Sequence, residues 1–105
     1  MTQVPPNLSI TDNEAAGQYE VRVGEHLAIL QYIRRPGRVL LVHTGVPEAI
    51  EGHGVAAQLS KHALDEARAR GEEVVPRCPY VRAYIDQHPE YDDLVARELE
   101  RHSLG

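Results

Sequence analysis

The apolar run Val39-Leu40-Leu41-Val42 leaves no position for a wet face, and it restricts the fold of this chain more than any other stretch. Four such residues in succession read as a strand buried on both faces. The run passes through His43-Thr44-Gly45-Val46-Pro47-Glu48-Ala49-Ile50-Glu51 into Gly52-His53-Gly54, and a helical pattern begins at about Val55. A buried strand feeding a glycine-paired loop and then a helix is suited to holding an anion. Glycine lets backbone approach a ligand closely, while the unpaired amides and positive dipole end of the helix favour phosphate. The segment is therefore expected to hold the pyrophosphate of a cofactor.

The remaining elements arrange themselves around that strand. Tyr19, Val21 and Val23 alternate with Glu20 and Arg22 over residues 18–23, as in a strand with one wet face near a sheet edge. After a turn at Gly24-Glu25, residues 26–33 carry apolar side chains on both faces. Leu27, Ile29 and Ile33 oppose Ala28, Leu30 and Tyr32. Pro36 and Gly37 end that strand, and residues 39–46 complete an antiparallel meander.

At 100° per residue, Val55, Ala56, Leu59, Ala63, Leu64 and Ala67 share one half of a helix that Gly71 terminates. Glu66 and Arg70 intrude on the apolar arc with the favourable i, i+4 spacing. Residues 73–78 read as a fourth strand, parallel to the third because a helix crossover joins them. Pro79 opens a short helix to about Gln87, His88-Pro89 closes it, and residues 90–99 form a last amphipathic piece. Residues 1–17, with Pro5-Pro6 and few apolar positions, are expected to be a flexible segment. Residues 18–100 are expected to form the single domain, and 101–105 a tail.

Composition narrows the function. A net charge of −5 disfavours nucleic acid and acidic membranes as partners and is compatible with cationic substrates such as amines. The single cysteine excludes an internal disulfide and suggests the reducing cytoplasm. No basic-then-apolar leader opens the sequence, and no apolar stretch reaches the roughly 20 residues a bilayer span needs. The histidines lack metal-ligand spacing, so no metal site is expected. The glycines lack a following Gly-Lys-Ser/Thr, and no Gly-x-Ser-x-Gly elbow occurs.

Glu51-Gly52-His53-Gly54-Val55-Ala56 fits the Arg/Gln-x-x-Gly-x-Gly/Ala signature at Gly54 and Ala56, with Glu in the first place. Together with His43-Thr44-Gly45-Val46-Pro47, Val74-Val75-Pro76-Arg77-Cys78-Pro79-Tyr80-Val81, Tyr84-Ile85 and His88-Pro89-Glu90-Tyr91, it resembles the small, single-domain branch of the Gcn5-related N-acetyltransferase (GNAT) superfamily. The resemblance covers roughly residues 18–95. It implies an α+β fold in α/β/α layers, with a minimal GNAT-like mixed sheet, and acetyl-CoA (coenzyme A) as cofactor. It also implies acetyl transfer to an unidentified amine, on a small molecule or a protein, by a monomer or weak dimer. The pair of helices that full-size relatives place over the substrate has no counterpart, so the acceptor site should be open.

Transfer to an amine needs a polarised thioester carbonyl, a proton acceptor for the amine and a proton for the departing thiolate. The resemblance assigns cofactor binding to Thr44, Val46, Glu51, Gly52, His53, Gly54, Val55, Ala56, Ala57, Tyr80 and Arg82, with the Val46 amide on the carbonyl. Cys78 precedes a helix N-terminus, where a thiolate is stabilised, and is a candidate for covalent or proton-transfer chemistry. A small buried residue beside the cofactor is the plainer role for it. His43 is a candidate base and Tyr84 a candidate acid towards the sulfur, with Tyr80 its rival. Lys61, Arg77 and Arg82 are candidate partners of the outer phosphates. A non-catalytic acyl-CoA-binding or sensing module remains the alternative.

Overall fold

The computed structural model describes residues 4, 5 and 7–96. Its strands are β1 (Thr11–Asn13), β2 (Gln18–Val23), β3 (His26–Arg35), β4 (Arg38–Gly45) and β5 (Glu73–Pro76), and its helices are α1 (Val55–Arg70) and α2 (Pro79–Gln87). The sheet runs β1-β2-β3-β4-β5, antiparallel throughout except for the final pair. The α1 crossover makes β5 parallel to β4, with Val39 opposite Val74 and Leu41 opposite Pro76. This is the mixed α+β sheet expected from the sequence.

Three local signals set the boundaries. Gly37 turns the β3–β4 hairpin at φ +71°, Gly71 caps α1 in the left-handed region, and Pro79 occupies the first position of α2. Tyr19, Val21, Ala28, Leu30, Val39, Leu41 and Val74 point to one face of the sheet. There they join Leu59, Leu64 and Ala67 of α1 and Val81 and Ile85 of α2 in a single core. Both helices lie on that face, so the described residues form a sheet with one helical layer. The opposite face carries Leu27, Ile29, Leu40 and Val42 partly exposed, and Ile33 is exposed. The run at residues 39–42 is thus fully buried on one face only.

Other differences come from contacts distant in sequence. Residues 11–13, inside the segment expected to be loose, pair with β2. They are pinned by the Tyr32 hydroxyl, which donates to Asp12, and by Arg34, whose guanidinium stands 4.0 Å from the same carboxylate. Arg34 also donates to buried Glu72 at 2.9 Å and to the Tyr19 hydroxyl at 3.2 Å. Ser60, outside the expected apolar arc, is buried because its hydroxyl donates back to the Ala56 carbonyl at 2.9 Å. The expected Glu66–Arg70 pair closes at 3.1 Å. Residues 89–94 form a 3₁₀ turn, after which Val95 bridges to Val74; the rest of the expected terminal piece and the tail lie outside the described residues. Among the described residues, no helix is long and apolar enough to cross a membrane.

Candidate functional site

The site is built where β4 outruns its neighbours. Its pairing with β5 ends at Leu41–Pro76, and the Cys78 amide then donates to the Leu41 carbonyl at 2.9 Å. Residues 42–45 continue without a β5 partner, so the two strands part. The register with β3 steps from Tyr32–Leu41 to Gln31–His43, which leaves Val42 as an extra residue in β4. Such a bulge exchanges the two faces of the strand beyond it. His43 is consequently exposed, on the side where Gly45 meets Ile29, and Thr44 turns towards α2. There its hydroxyl touches the Cys78 sulfur at 3.3 Å.

The loop after β4 drops Ile50 into the core through a 3₁₀ turn, Glu48–Ile50, held by amides donating to Pro47 and Glu48. Gly52 and Gly54 follow at φ +80° and +77° on either side of His53. Alternation of left-handed and ordinary residues turns successive amides to one side, forming an anion-binding nest. Gln58 is the first residue of the region to donate along the helix, to the Gly54 carbonyl at 3.0 Å. Among the described residues, no acceptor takes the amides of residues 52–57.

These elements enclose a cleft of about 460 Å³ lined by Thr44, Val46, Ile50, Glu51, Gly52, Gly54, Val55, Ala56 and Tyr80. Of the expected cofactor residues, His53, Ala57 and Arg82 are absent from its wall. His53 and Arg82 are exposed, and Ala57 faces a separate groove between the helices. Ile50 is an addition, signalled in the sequence only as an apolar residue between two glutamates. Glu51 lines the cleft and is exposed.

The three expected catalytic residues do not converge. Cys78, only 4% exposed, lies behind Thr44. His43 is on the opposite face of the sheet because of the bulge. Tyr84 is about 9 Å further along the α2 axis than Cys78, at 1.5 Å per residue. It stacks on His88 in the interhelical groove, and burial raises its phenol above the ordinary value. Tyr80 is the phenol that reaches the cleft. Lys61 pairs with Asp65 at 2.8 Å, and Arg77 is exposed.

A sequence profile of the GCN5-related N-acetyl-transferase family matches residues 18–94. Protein NATD1 of Mus musculus is 36% identical over 75 residues, covering 69% of this chain and 68% of that protein. Protein NATD1 of Homo sapiens is also 36% identical over 75 residues, with 66% of its length covered. An NMR structure of a GCN5-like protein from Staphylococcus aureus superposes with a TM-score of 0.66, covering 88% of this chain and 91% of its own. At 22% identity that likeness speaks for the fold alone. Fold, profile and relatives agree, and the chain belongs to the GCN5-related N-acetyltransferase family.

Proposed function

We propose that the chain is an acetyl-CoA-dependent N-acetyltransferase acting on an amine. The observation that carries this reading is the row of unclaimed amides at residues 52–57, set in a cleft that opens where β4 leaves β5. A diphosphate fits these groups. The amides can donate to it, the end of α1 favours its charge, and neither glycine places a side chain in its way. Glu51, exposed on the cleft wall, opposes that charge and is expected to weaken binding without preventing it.

When bound, acetyl-CoA supplies an activated acetyl thioester. The chain's own groups hold and orient it. The Val46 amide, at the strand edge released from β5, is assigned to the thioester carbonyl, where a fixed donor stabilises developing negative charge. Tyr80 and the Thr44–Cys78 pair stand on the cleft side and can relay a proton towards the sulfur. His43 faces the open side of the sheet, from which an acceptor would approach, and is assigned to receive the amine proton. The free, buried cysteine suits the reducing cytoplasm.

A non-catalytic acyl-CoA-binding module is the second reading, favoured by Glu51 and by the near-sealed thiol of Cys78. Acetyl-CoA at 100 times its dissociation constant should stabilise the protein by about 2.7 kcal/mol in either case. Release of coenzyme A with a panel of amines, polyamines and peptides separates the two. Turnover supports the enzyme, binding without turnover on any amine supports the module, and no thermal shift at millimolar ligand refutes both. Cys78→Ala is expected to keep binding and to lose turnover if the thiol relays the proton. Full activity would remove that role.

A further inference from the structure

The bulge that turns His43 outward also leaves a small space beside its ring. A Cβ built on Gly45 would lie 3.5 Å from the His43 Nε2 and 3.5 Å from the Ile29 Cγ1. The imidazole therefore leans along β4 over residue 45, and Ile29 forms the facing wall. Bare backbone at Gly45 is the floor. The next residue, Val46, carries the amide assigned above to the thioester carbonyl. An amine resting over Gly45 would have its proton acceptor on one side and the carbonyl's donor one residue further on.

Strand register extends this position into a row across the uncovered face of the sheet. Gly45 pairs with Ile29, and Ile29 with Glu20, so β4, β3 and β2 each place one residue on the line, on the side away from the helices. Glu20 is partly exposed and held in place. Its Oε2 accepts from the side-chain amide of Asn13 at 2.9 Å and from that of Gln18. These two donors, Gln18 first, keep its carboxyl below the usual carboxylate range, so it stays charged. Among the described residues no donor is given to Oε1; the exposed Arg22, two residues on, makes no hydrogen bond to it. With neighbouring strands about 4.8 Å apart, Glu20 stands about 10 Å from Gly45 across the sheet. An extended diamine of about four or five carbons spans most of that distance, and a hydrogen bond of about 3 Å to the carboxylate closes the rest. Its methylenes would lie on Ile29, with half-buried Leu27 alongside.

We propose that the acceptor is a short α,ω-diamine whose distal ammonium is held by Glu20 while the reacting amine lies over Gly45 beside His43. The inference rests on the acetyltransferase reading above and adds to it the class of the acceptor. A monoamine lacks the second charge, and an aminocarboxylate presents the wrong one. The test measures coenzyme A release by the whole protein and by Glu20→Gln, with 1,5-diaminopentane, 1-aminopentane and 5-aminopentanoate. Glutamine keeps an oxygen for Asn13 and Gln18 and removes the charge. The KM of the diamine should lie about fivefold below that of the monoamine, and Glu20→Gln should erase this difference by raising KM rather than lowering kcat. NMR titration with the diamine alone reads the same contact without turnover, at the backbone amides of residues 20, 29 and 45. Equal KM values, a preference for the aminocarboxylate, or a ratio untouched in Glu20→Gln would overturn the inference and leave the acetyltransferase reading standing. If no amine is turned over, that reading falls. The diamine site then survives only if the titration shifts those three amides and Glu20→Gln abolishes the shifts; otherwise it falls as well.

Discussion

Gly54→Ala isolates the geometry on which the cofactor cradle depends. Gly54 precedes α1 at φ +77°, and a Cβ built there meets no atom within 4 Å. The substitution therefore creates no clash, and its whole effect is conformational. An L-residue in the left-handed region costs about 1–2 kcal/mol. Reduced freedom of the unfolded chain returns about 0.4–1 kcal/mol. If the backbone holds, the net loss is about 0.5–1 kcal/mol, which lowers the melting temperature of a domain this size by about 3–6 °C. If it relaxes, the loop escapes the strain by turning its amides out of the cleft. Stability is then largely kept, while affinity for acetyl-CoA falls about tenfold through lost charge-assisted hydrogen bonds. Urea unfolding and calorimetric titration, run side by side, distinguish the two. Gly54→Asn should approach the unaltered protein in both, because asparagine tolerates this region best after glycine. An alanine variant unchanged in stability and in affinity would refute the argument that a positive φ aims these amides.

Two further predictions concern the polar cluster that joins β1, β3 and the end of α1. Arg34→Ala leaves Glu72, 9% exposed, without its ion-pair partner and should cost about 3 kcal/mol in urea unfolding. A loss below about 1 kcal/mol would show that water reaches the site freely. Burial, and then the Asp12 carboxylate that accepts its hydrogen bond, raise the Tyr32 phenol from 10.0 to about 12. Its folded value lies above its unfolded one, so its contribution is complete below pH 10 and is lost as pH rises towards 12. About 2 kcal/mol should disappear across that window. Alkaline unfolding of Tyr32→Phe should lack this component, and an identical profile would count against it.

Legibility of the site divides along the same physical line. The residues that make the cradle were readable because their constraint is local: two glycines at positive φ, a strand before them and a helix after. The residues expected to do chemistry stand at the ends of β4 and β5 and on α2, and a place at a strand end or on a helix does not fix which face a side chain takes. The bulge at Val42 sends His43 to the far side of the sheet. The pitch of α2 brings Tyr80 to the cleft and carries Tyr84 into the neighbouring groove.

Taken alone, the order of residues determined strands β2–β5, the turns between them and both helices. Pro36-Gly37, Gly71 and Pro79 each act within a turn of themselves, and the apolar positions of α1 repeat at the helical period. Tertiary structure decided what lies on which side. It recruited residues 11–13 as an edge strand through Asp12, Tyr32 and Arg34, left the back of the sheet uncovered among the described residues, and inserted the extra residue of β4 that swaps His43 with Thr44. Those outcomes depend on hydrogen bonds and packing between segments far apart in the chain, and no short window of sequence contains both partners.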